Sequence, residues 1–353
     1  RLRSASQFNE KSTRFRARNT AVFAEWREIQ PNNRSFVVNL GETLSPGFPR
    51  KTYRFNLRNR RPMLSHHMRY PYSAISERPD FSWPEGRRIA VYLGMNLECF
   101  AFGEGLGAEL APGGPQPDVL NYAWRDYGNR VGAWRMLELF ERLGVPTTAL
   151  VNSELYEAAP GLIEAFRARG DEIAGHGRTN AERQGVLDET AERALIAEAT
   201  EVVTAREGVS PKGWLGPWIS QSAVTPDLLQ EAGYDYLLDW CHDDQPVWMK
   251  TRTGRILSIP YPQELNDIPQ IVGRKREGSE FGDMICDAFD VMLEESARRP
   301  LVMGVALHGY LMGHPHRLKH LARALSYIQE TGGDRVWWTT AGAINDHYRA
   351  LGL

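Results

Sequence analysis

Apolar and polar stretches alternate along the chain from residue 87 onward, and each apolar stretch has the length of one strand or one helix. The stretches "RRIAVYLGMNLE" and "PLVMGVALHGY" contain continuous apolar runs, which are typical of strands buried on both faces of a sheet. In "NRVGAWRMLELFERLGV" the apolar residues recur three or four positions apart, which predicts a helix with one buried face. The chain is therefore predicted to alternate strand and helix.

Seven or eight such units follow one another with short connections, so we expect parallel strands with the helices outside. The predicted strands end on Glu98, Asn152, His176, Trp218, Asp239, Glu264, His308 and Thr339. Because the carboxyl ends of barrel strands meet at one face, this pattern favours a barrel over an open sheet. We predict an α/β fold, a (β/α) barrel of about seven strands, with its functional site at that face.

Composition adds limits on the class of protein. Of the 353 residues 42% are hydrophobic and 24% are charged, and no apolar run approaches the roughly 20 residues that a membrane-spanning helix needs. The three cysteines, Cys99, Cys241 and Cys286, form no CxxC pair, so neither a disulfide framework nor a thiolate zinc site is indicated. We therefore expect a cytoplasmic protein with no membrane partner.

Charge divides the chain into two parts. Residues 1–62 carry 14 Lys or Arg against 4 Asp or Glu, whereas the remainder carries 28 against 40. The first part also lacks a sustained apolar period, so we predict a weakly structured basic extension over 1–68 and one domain over 69–353. The extension could be an arm for nucleic acid or an anionic surface, a targeting segment, or sequence upstream of a functional start at Met63 or Met68. We favour the last interpretation, so nucleic acid is not an expected partner.

The strongest candidate for chemistry is the grouping of Glu98, His176 and His308, which end three different predicted strands. Carboxylate and imidazole suit hydrolysis of a C–N bond, which needs a base to activate water and an acid to protonate the leaving nitrogen. Each histidine could instead be a structural hydrogen-bonding residue. Their predicted convergence at one barrel face favours the catalytic interpretation.

Further polar and aromatic residues are candidates for binding the substrate. Tryptophans could stack on a flat or sugar-like ligand, although core packing is the alternative for each of them. Carboxylates and a tyrosine in polar loops could orient a ligand, or could serve only as loop caps and turn residues. The predicted substrate-binding residues are Asn96, Asn180, Trp214, Trp218, Asp239, Asp243, Tyr261 and Glu264.

Several of these stretches, taken in order, resemble the polysaccharide deacetylase (NodB-homology) family, and more closely its allantoinase-like branch, which hydrolyses cyclic amides. The resemblance covers about residues 69–350 and rests on "SWPEGRRIAVYLGMNLE", "DEIAGHGRTN", "GWLGP", "YLLDWCHDDQPVW", "IPYPQELNDIPQ" and "ALHGYLMGHPHRL". It implies a deformed TIM barrel and a hydrolase acting on C–N bonds other than peptide bonds.

The chain departs from the metal-dependent members of that family at their ligands. Their first strand ends in two aspartates, where this chain has Leu97 and Glu98, and their second motif supplies two histidines, where this chain has His176 and Asn180. The family's arginine is missing from "GWLGP". The resemblance thus implies no tightly held metal, as in the allantoinase-like branch, with zinc at Glu98 and His176 as the alternative.

Three functions follow as hypotheses. The first is hydrolysis of a small amide, cyclic imide or ureide, in which Glu98 and His176 activate water and His308 serves as acid or oxyanion donor. Asn180, Trp214 and Asp243 would orient the substrate. The second is metal-dependent N-deacetylation of amino sugars, and the third is an inactive carbohydrate-binding protein. The expected partner is a small-molecule amide or sugar, and a homo-oligomer is an alternative to a monomer.

Overall fold

The computed structural model describes residues 66–353 and, before them, the backbone of four strands. These strands are β1 (Ser12–Ala17), β2 (Thr20–Glu28), β3 (Ser35–Glu42) and β4 (Lys51–Asn56). They pair antiparallel in chain order. The chain divides into two compact units, Arg1–His66 and His67–Leu353. The prediction of a weakly structured extension falls in large part outside the described residues and stays a prediction.

The second unit alternates strands and helices. Its strands are β5 (Ile89–Leu97), β6 (Thr147–Val151), β7 (Glu172–Gly175), β8 (Gly213–Trp214), β9 (Tyr236–Leu237), β10 (Val247–Lys250), β11 (Arg255–Ser258), β12 (Leu301–His308) and β13 (Val336–Thr339). Its helices are α1 (Val119–Tyr127), α2 (Ala133–Leu143), α3 (Leu155–Ala158), α4 (Pro160–Ala168), α5 (Glu189–Glu207), α6 (Thr225–Glu231), α7 (Gly278–Glu295), α8 (Gly309–Met312), α9 (Pro315–Gly332) and α10 (Ala341–Ala350). None of the helices in the described residues is long and apolar enough to cross a membrane.

Seven parallel strands form a curved sheet in the order β11-β9-β8-β7-β6-β5-β12. Strand β13 pairs parallel with the first half of β5, and β10 pairs antiparallel with β11. The segment after β11 reaches the opposite end of the sheet, where Asn266 forms a parallel bridge with Ala306 of β12. This arrangement confirms the predicted α/β barrel of about seven parallel strands.

The alternation of side chains along each strand separates the two sides of the barrel wall. In β5, Ile89, Val91, Leu93, Met95 and Leu97 pack in the apolar layer shared with the outer helices. The intervening residues of β5 face the interior, where Tyr92 packs. Continuing the same period brings Asn96 and Glu98 to the interior at the carboxyl end of the strand.

Two elements differ from the sequence prediction. Helix α1 lies in a stretch to which the sequence pattern assigns no element, because its exposed Val119 and Leu120 give no buried face in that pattern. A π-helical turn at Gly128–Gly132 then joins it to α2. Strand β10 overlaps the end of "CHDDQPVW", whose polar residues predict a loop, because a four-residue strand on the edge of a sheet carries little apolar signal.

Candidate active site

The ends of β5, β7 and β12 bring the central polar side chains together. His308 lies opposite Asn96 in the register of β12 with β5, and His176 directly follows β7. The next residue, Gly177, has φ +66°, and a Cβ there would lie 2.6 Å from the Pro217 ring. Glycine thus permits the turn through which "AGHGRTN" returns Asn180 to Glu98.

Glu98 and His308 form the centre of the site. The His308 Nε2 lies 3.4 Å from the Glu98 Oε1, and its Nδ1 lies 2.6 Å from the Asp267 Oδ1. The backbone N–H of His308 donates to the Asp267 Oδ2 at 2.8 Å. All three side chains are buried, so the imidazole is fixed between two carboxylates.

His176 lies beside the same carboxylate, and the ring nitrogen nearest to it is a hydrogen-bond acceptor. Its Nδ1 lies 2.7 Å from the Leu215 carbonyl oxygen, which can only accept, so the proton of a neutral ring is on Nδ1. The Nε2 is 3.7 Å from the Glu98 Oε1. Both this Nε2 and the Glu98 Oε2 are buried without a hydrogen-bond partner among the described residues. Two acceptors left open side by side suit a water molecule that donates to both.

Two asparagines frame the carboxylate. The Asn180 Nδ2 donates to the Glu98 Oε1, and the Asn180 Oδ1 accepts from Asn152 at 3.2 Å. The Asn152 Oδ1 accepts from the Cys99 N–H at 2.8 Å. These bonds connect the loops after β5, β6 and β7, so they hold Glu98 in one orientation.

The charges of the central pair follow from their surroundings. Burial raises the pKa of the Glu98 carboxyl, but the positive charge of His308 and the adjacent His176 side chain outweigh it and lower that pKa. Burial lowers the pKa of His308, but Asp267 and Glu98 outweigh it and raise that pKa above its ordinary value. At neutral pH the site therefore holds a Glu98 carboxylate beside a His308 imidazolium.

These groups open into a cavity of about 200 Å³. Of the predicted site residues, the structure brings Asn96, Glu98, His176, Asn180, Trp218, Tyr261 and His308 to its wall. The Asn96 amide donates to the Tyr261 hydroxyl at 2.9 Å, and the Trp218 indole N–H donates to the Asn180 carbonyl oxygen at 2.9 Å. Trp218 has φ +63°, a strained conformation for a residue with a side chain.

Four predicted binding residues do not line this cavity. Trp214 is fully buried against the outer helices, and Asp239 binds the Gly216 N–H at 2.7 Å. Asp243 forms an ion pair with Arg78 at 2.6 Å. Exposed Glu264 accepts from Arg274 at 3.0 Å.

Sequence reasoning also missed site residues. Asp267 lies in the loop "IPYPQELNDIPQ", and its contact with His308 depends on the contact between that loop and β12. Arg125 and Tyr310 line the cavity from α1 and α8. No hydrophobic pattern in the sequence distinguishes a helix residue that faces the barrel mouth from one that faces solvent. Only the three-dimensional structure therefore identifies Arg125 as a cavity residue.

The residues present do not fit a tightly held zinc ion. The Glu98 Oε2 and the His176 Nε2 could each act as a strong metal ligand. Asn180 could not supply a third, because its amide N–H donates to Glu98 and its amide oxygen accepts from Asn152. Zinc sites use three strong nitrogen, sulfur or carboxylate ligands. Within the described part of the chain, no group of three or more His, Cys, Asp or Glu is arranged to hold a metal ion.

A buried carboxylate and two histidines at the mouth of a deformed barrel suit hydrolysis of an amide C–N bond, and comparison with known proteins agrees with a hydrolase of this class. The model of the polysaccharide deacetylase family matches residues 121–237. A probable polysaccharide deacetylase from Pseudomonas aeruginosa is 32% identical, with a TM-score of 0.69 over 80% of this chain and 98% of that one. The chain belongs to the polysaccharide deacetylase family.

Two further relatives differ in their described activities. The structure of PuuE allantoinase is 30% identical, with a TM-score of 0.69 over 80% of this chain and 98% of that one. A putative polysaccharide deacetylase from Schizosaccharomyces pombe is 28% identical over 76% of this chain and 92% of the relative. The family resemblance inferred from the sequence motifs is confirmed.

Proposed function

We propose that the protein hydrolyses an amide C–N bond in a small amide, cyclic imide or ureide, as an allantoinase-like enzyme. The observation that carries this proposal is the pair of open acceptors on Glu98 and His176 beside the His308 imidazolium, inside one small cavity. The volume of about 200 Å³ lies below the roughly 300–1,000 Å³ of pockets for drug-sized ligands, which supports a small substrate. The similarity to PuuE allantoinase supports the same branch.

In this mechanism the two O–H groups of a water molecule donate hydrogen bonds to the Glu98 carboxylate and to the His176 Nε2, and the water oxygen attacks the substrate carbonyl carbon. His176 takes one proton from this water as the C–O bond forms. His308 donates its Nε2 proton to the leaving nitrogen as the C–N bond breaks. Proton return from His176 and recharging of His308 through solvent restore the starting state.

Side chains on the cavity wall would orient the substrate. Asn96 and Tyr261 form a hydrogen-bonded pair that can recognise amide or carbonyl groups. Asn180 is fixed against Glu98, and the half-exposed ring of Trp218 can stack on a flat ligand. The predicted orienting roles of Trp214 and Asp243 have no support, because neither lines this cavity.

Metal-dependent N-deacetylation of amino sugars is the second candidate. It is favoured by the similarity to relatives described as deacetylases. It is also favoured by the two potential metal-ligand atoms, one on Glu98 and one on His176, that have no hydrogen-bond partner among the described residues. The missing third strong ligand opposes it. The two candidates differ in substrate and in their dependence on a divalent cation.

The test is turnover of a substrate panel. Purified protein is incubated with allantoin, hydantoin, succinimide and oligomers of N-acetylglucosamine, each with and without a chelator, and products are followed by proton NMR. Hydrolysis of a ureide or imide that survives chelation supports the proposal. Deacetylation of the sugar oligomers that is lost on chelation would replace it with the second candidate, and saturable sugar binding without any turnover would indicate an inactive carbohydrate-binding protein.

We also propose a cytoplasmic location. Cys99, Cys241 and Cys286 are all free thiols in the described chain, which suits a reducing compartment. A homo-oligomer stays a proposal as well, to be measured by light scattering of the purified protein.

A further inference from the structure

We propose that Arg125 gives the cavity a carboxylate-binding end, so that the substrate is a small amide, ureide or imide that also carries a carboxylate group. This inference rests on the proposed function, because it names the substrate class of the same site. Arg125 lines the cavity together with Glu98, His176 and His308.

The Arg125 side chain is held in place from several sides. Helix α1, capped by the Asp118 side chain on the Asn121 N–H, presents Arg125 to the cavity. Its Nε donates to the Asn121 Oδ1 at 3.3 Å, and its Cζ lies 4.2 Å from the centroid of the Phe100 ring. The centroid of the Tyr310 ring lies 5.4 Å from the same Cζ. A fixed guanidinium loses little conformational entropy when it binds a ligand.

The partners of Arg125 leave its charge uncompensated. Asn121, Phe100 and Tyr310 are neutral, and Arg125 forms no ion pair with a carboxylate of residues 66–353. Neighbouring arginines differ: Arg130 is paired with Asp126, and Arg178 with Glu182. A planar guanidinium that faces a cavity without a protein carboxylate matches the geometry of a ligand carboxylate.

The charge distribution also sets the direction in which such a ligand would bind. At the catalytic end, the Glu98 and Asp267 carboxylates accompany a single His308 imidazolium, so this end repels an anion. Arg125, which lines the same cavity and has no carboxylate partner among residues 66–353, attracts it. A ligand that carries both a carboxylate and an amide would therefore place its amide at Glu98 and His308.

The test compares two ligands of nearly equal size that differ in one group. Succinamate carries a carboxylate and an amide, whereas succinamide carries two amides. Their binding to the full chain is measured by isothermal titration calorimetry at neutral pH, for wild type, Arg125→Gln, Arg125→Lys and Arg130→Gln. We expect wild type to bind succinamate at least about tenfold more tightly than succinamide.

Arg125→Gln should abolish this preference, and Arg125→Lys should retain part of it because the charge remains. Arg130→Gln is the matched control, since Arg130 lies outside this cavity, and it should keep the full preference. Far-UV circular dichroism of each variant confirms folding. Equal binding of the two ligands by wild type, or an unchanged preference in folded Arg125→Gln, would overturn the inference.

These outcomes separate the inference from the proposed function. If succinamate binds through Arg125 but neither succinamate nor any amide in the substrate panel is hydrolysed, the carboxylate-binding end stands and the proposed function fails. If neutral imides or ureides are hydrolysed and Arg125→Gln alters neither binding nor turnover, the proposed function stands and the inference fails.

Discussion

Two buried carboxylates near the carboxyl ends of barrel strands hold different charge states. Glu98 follows β5 between two histidines, and its pKa is lowered even though burial opposes this. Asp239 follows β9, and burial raises its pKa to about 7, against a single hydrogen bond from the Gly216 N–H. Its Oδ2 has no hydrogen-bond partner among the described residues. Burial is common to both, so the cationic partner decides which carboxylate is fully charged at neutral pH and can serve in hydrolysis.

The largest effect should come from neutralising Glu98. Glu98→Gln removes the charge that helps to position water and to keep His308 protonated, so we expect turnover to fall by about 10³-fold. The matched control is Asp239→Asn, which keeps an acceptor for the Gly216 N–H and should retain turnover close to wild type. Steady-state kinetics on the substrate identified by the panel measures both. Equal losses of turnover in the two variants would contradict the claim that Glu98, and not Asp239, serves in hydrolysis.

The partner of His308 should control the pH profile. Asp267→Asn removes a negative charge 2.6 Å from the His308 Nδ1 and so lowers the pKa of His308. Because the mechanism needs His308 protonated, kcat/KM falls as the pH rises through that pKa. The variant should lose roughly 10²-fold in turnover, and its alkaline limb should lie at lower pH than that of wild type. An alkaline limb that does not move would exclude His308 as the acid.

Asp239 should affect stability rather than turnover. Its folded-state pKa of about 7 lies above the unfolded value near 3.9, so its contribution to stability is fully present below about pH 4 and is lost as the pH rises through 7. Between pH 5 and 8, the free energy of unfolding of wild type should fall by roughly 2–3 kcal/mol more than that of Asp239→Asn. Urea unfolding at the two pH values measures this difference. Parallel pH dependences in the two proteins would contradict the assignment.

The smallest effect concerns Trp218. Trp218→Phe keeps an aromatic ring but removes the N–H that donates to the Asn180 carbonyl oxygen, so KM should rise by about fivefold. Trp248→Phe is the matched control, because its indole N–H also donates to a backbone carbonyl, that of Leu353, away from the cavity. An equal change in KM for both variants would show that the loss is not specific to the site.

The sequence correctly predicts those elements whose structure depends on the local periodicity of apolar residues. Continuous apolar runs predicted β5 and β12, and the polar residues at their ends predicted Glu98 and His308. The predictions failed for Trp214 of β8 and for Asp239 after β9, two strands that have only two residues each. In such short strands the sequence pattern does not determine which way a side chain faces. Trp214 and Asp239 are therefore predicted at the cavity but lie elsewhere.

Residues brought in by long-range contacts were outside the reach of sequence patterns. Asp267 reaches His308 because the segment after β11 crosses to β12, a pairing between distant parts of the chain. Arg125 faces the cavity from a short helix with exposed apolar residues. Neither placement follows from the spacing of residues in the sequence. Both depend on how separate strand-helix units pack around the mouth of the barrel.

The most direct test of the central claim is to measure metal content and turnover in the same sample. Protein purified without chelators is analysed for divalent metals and assayed on the ureide and imide panel, beside His176→Ala. We predict hydrolysis by protein whose metal content is far below one ion per chain, and loss of that activity in His176→Ala. Activity that rises in proportion to a bound divalent ion, with both lost in the variant, would contradict the claim that Glu98, His176 and His308 activate water by themselves.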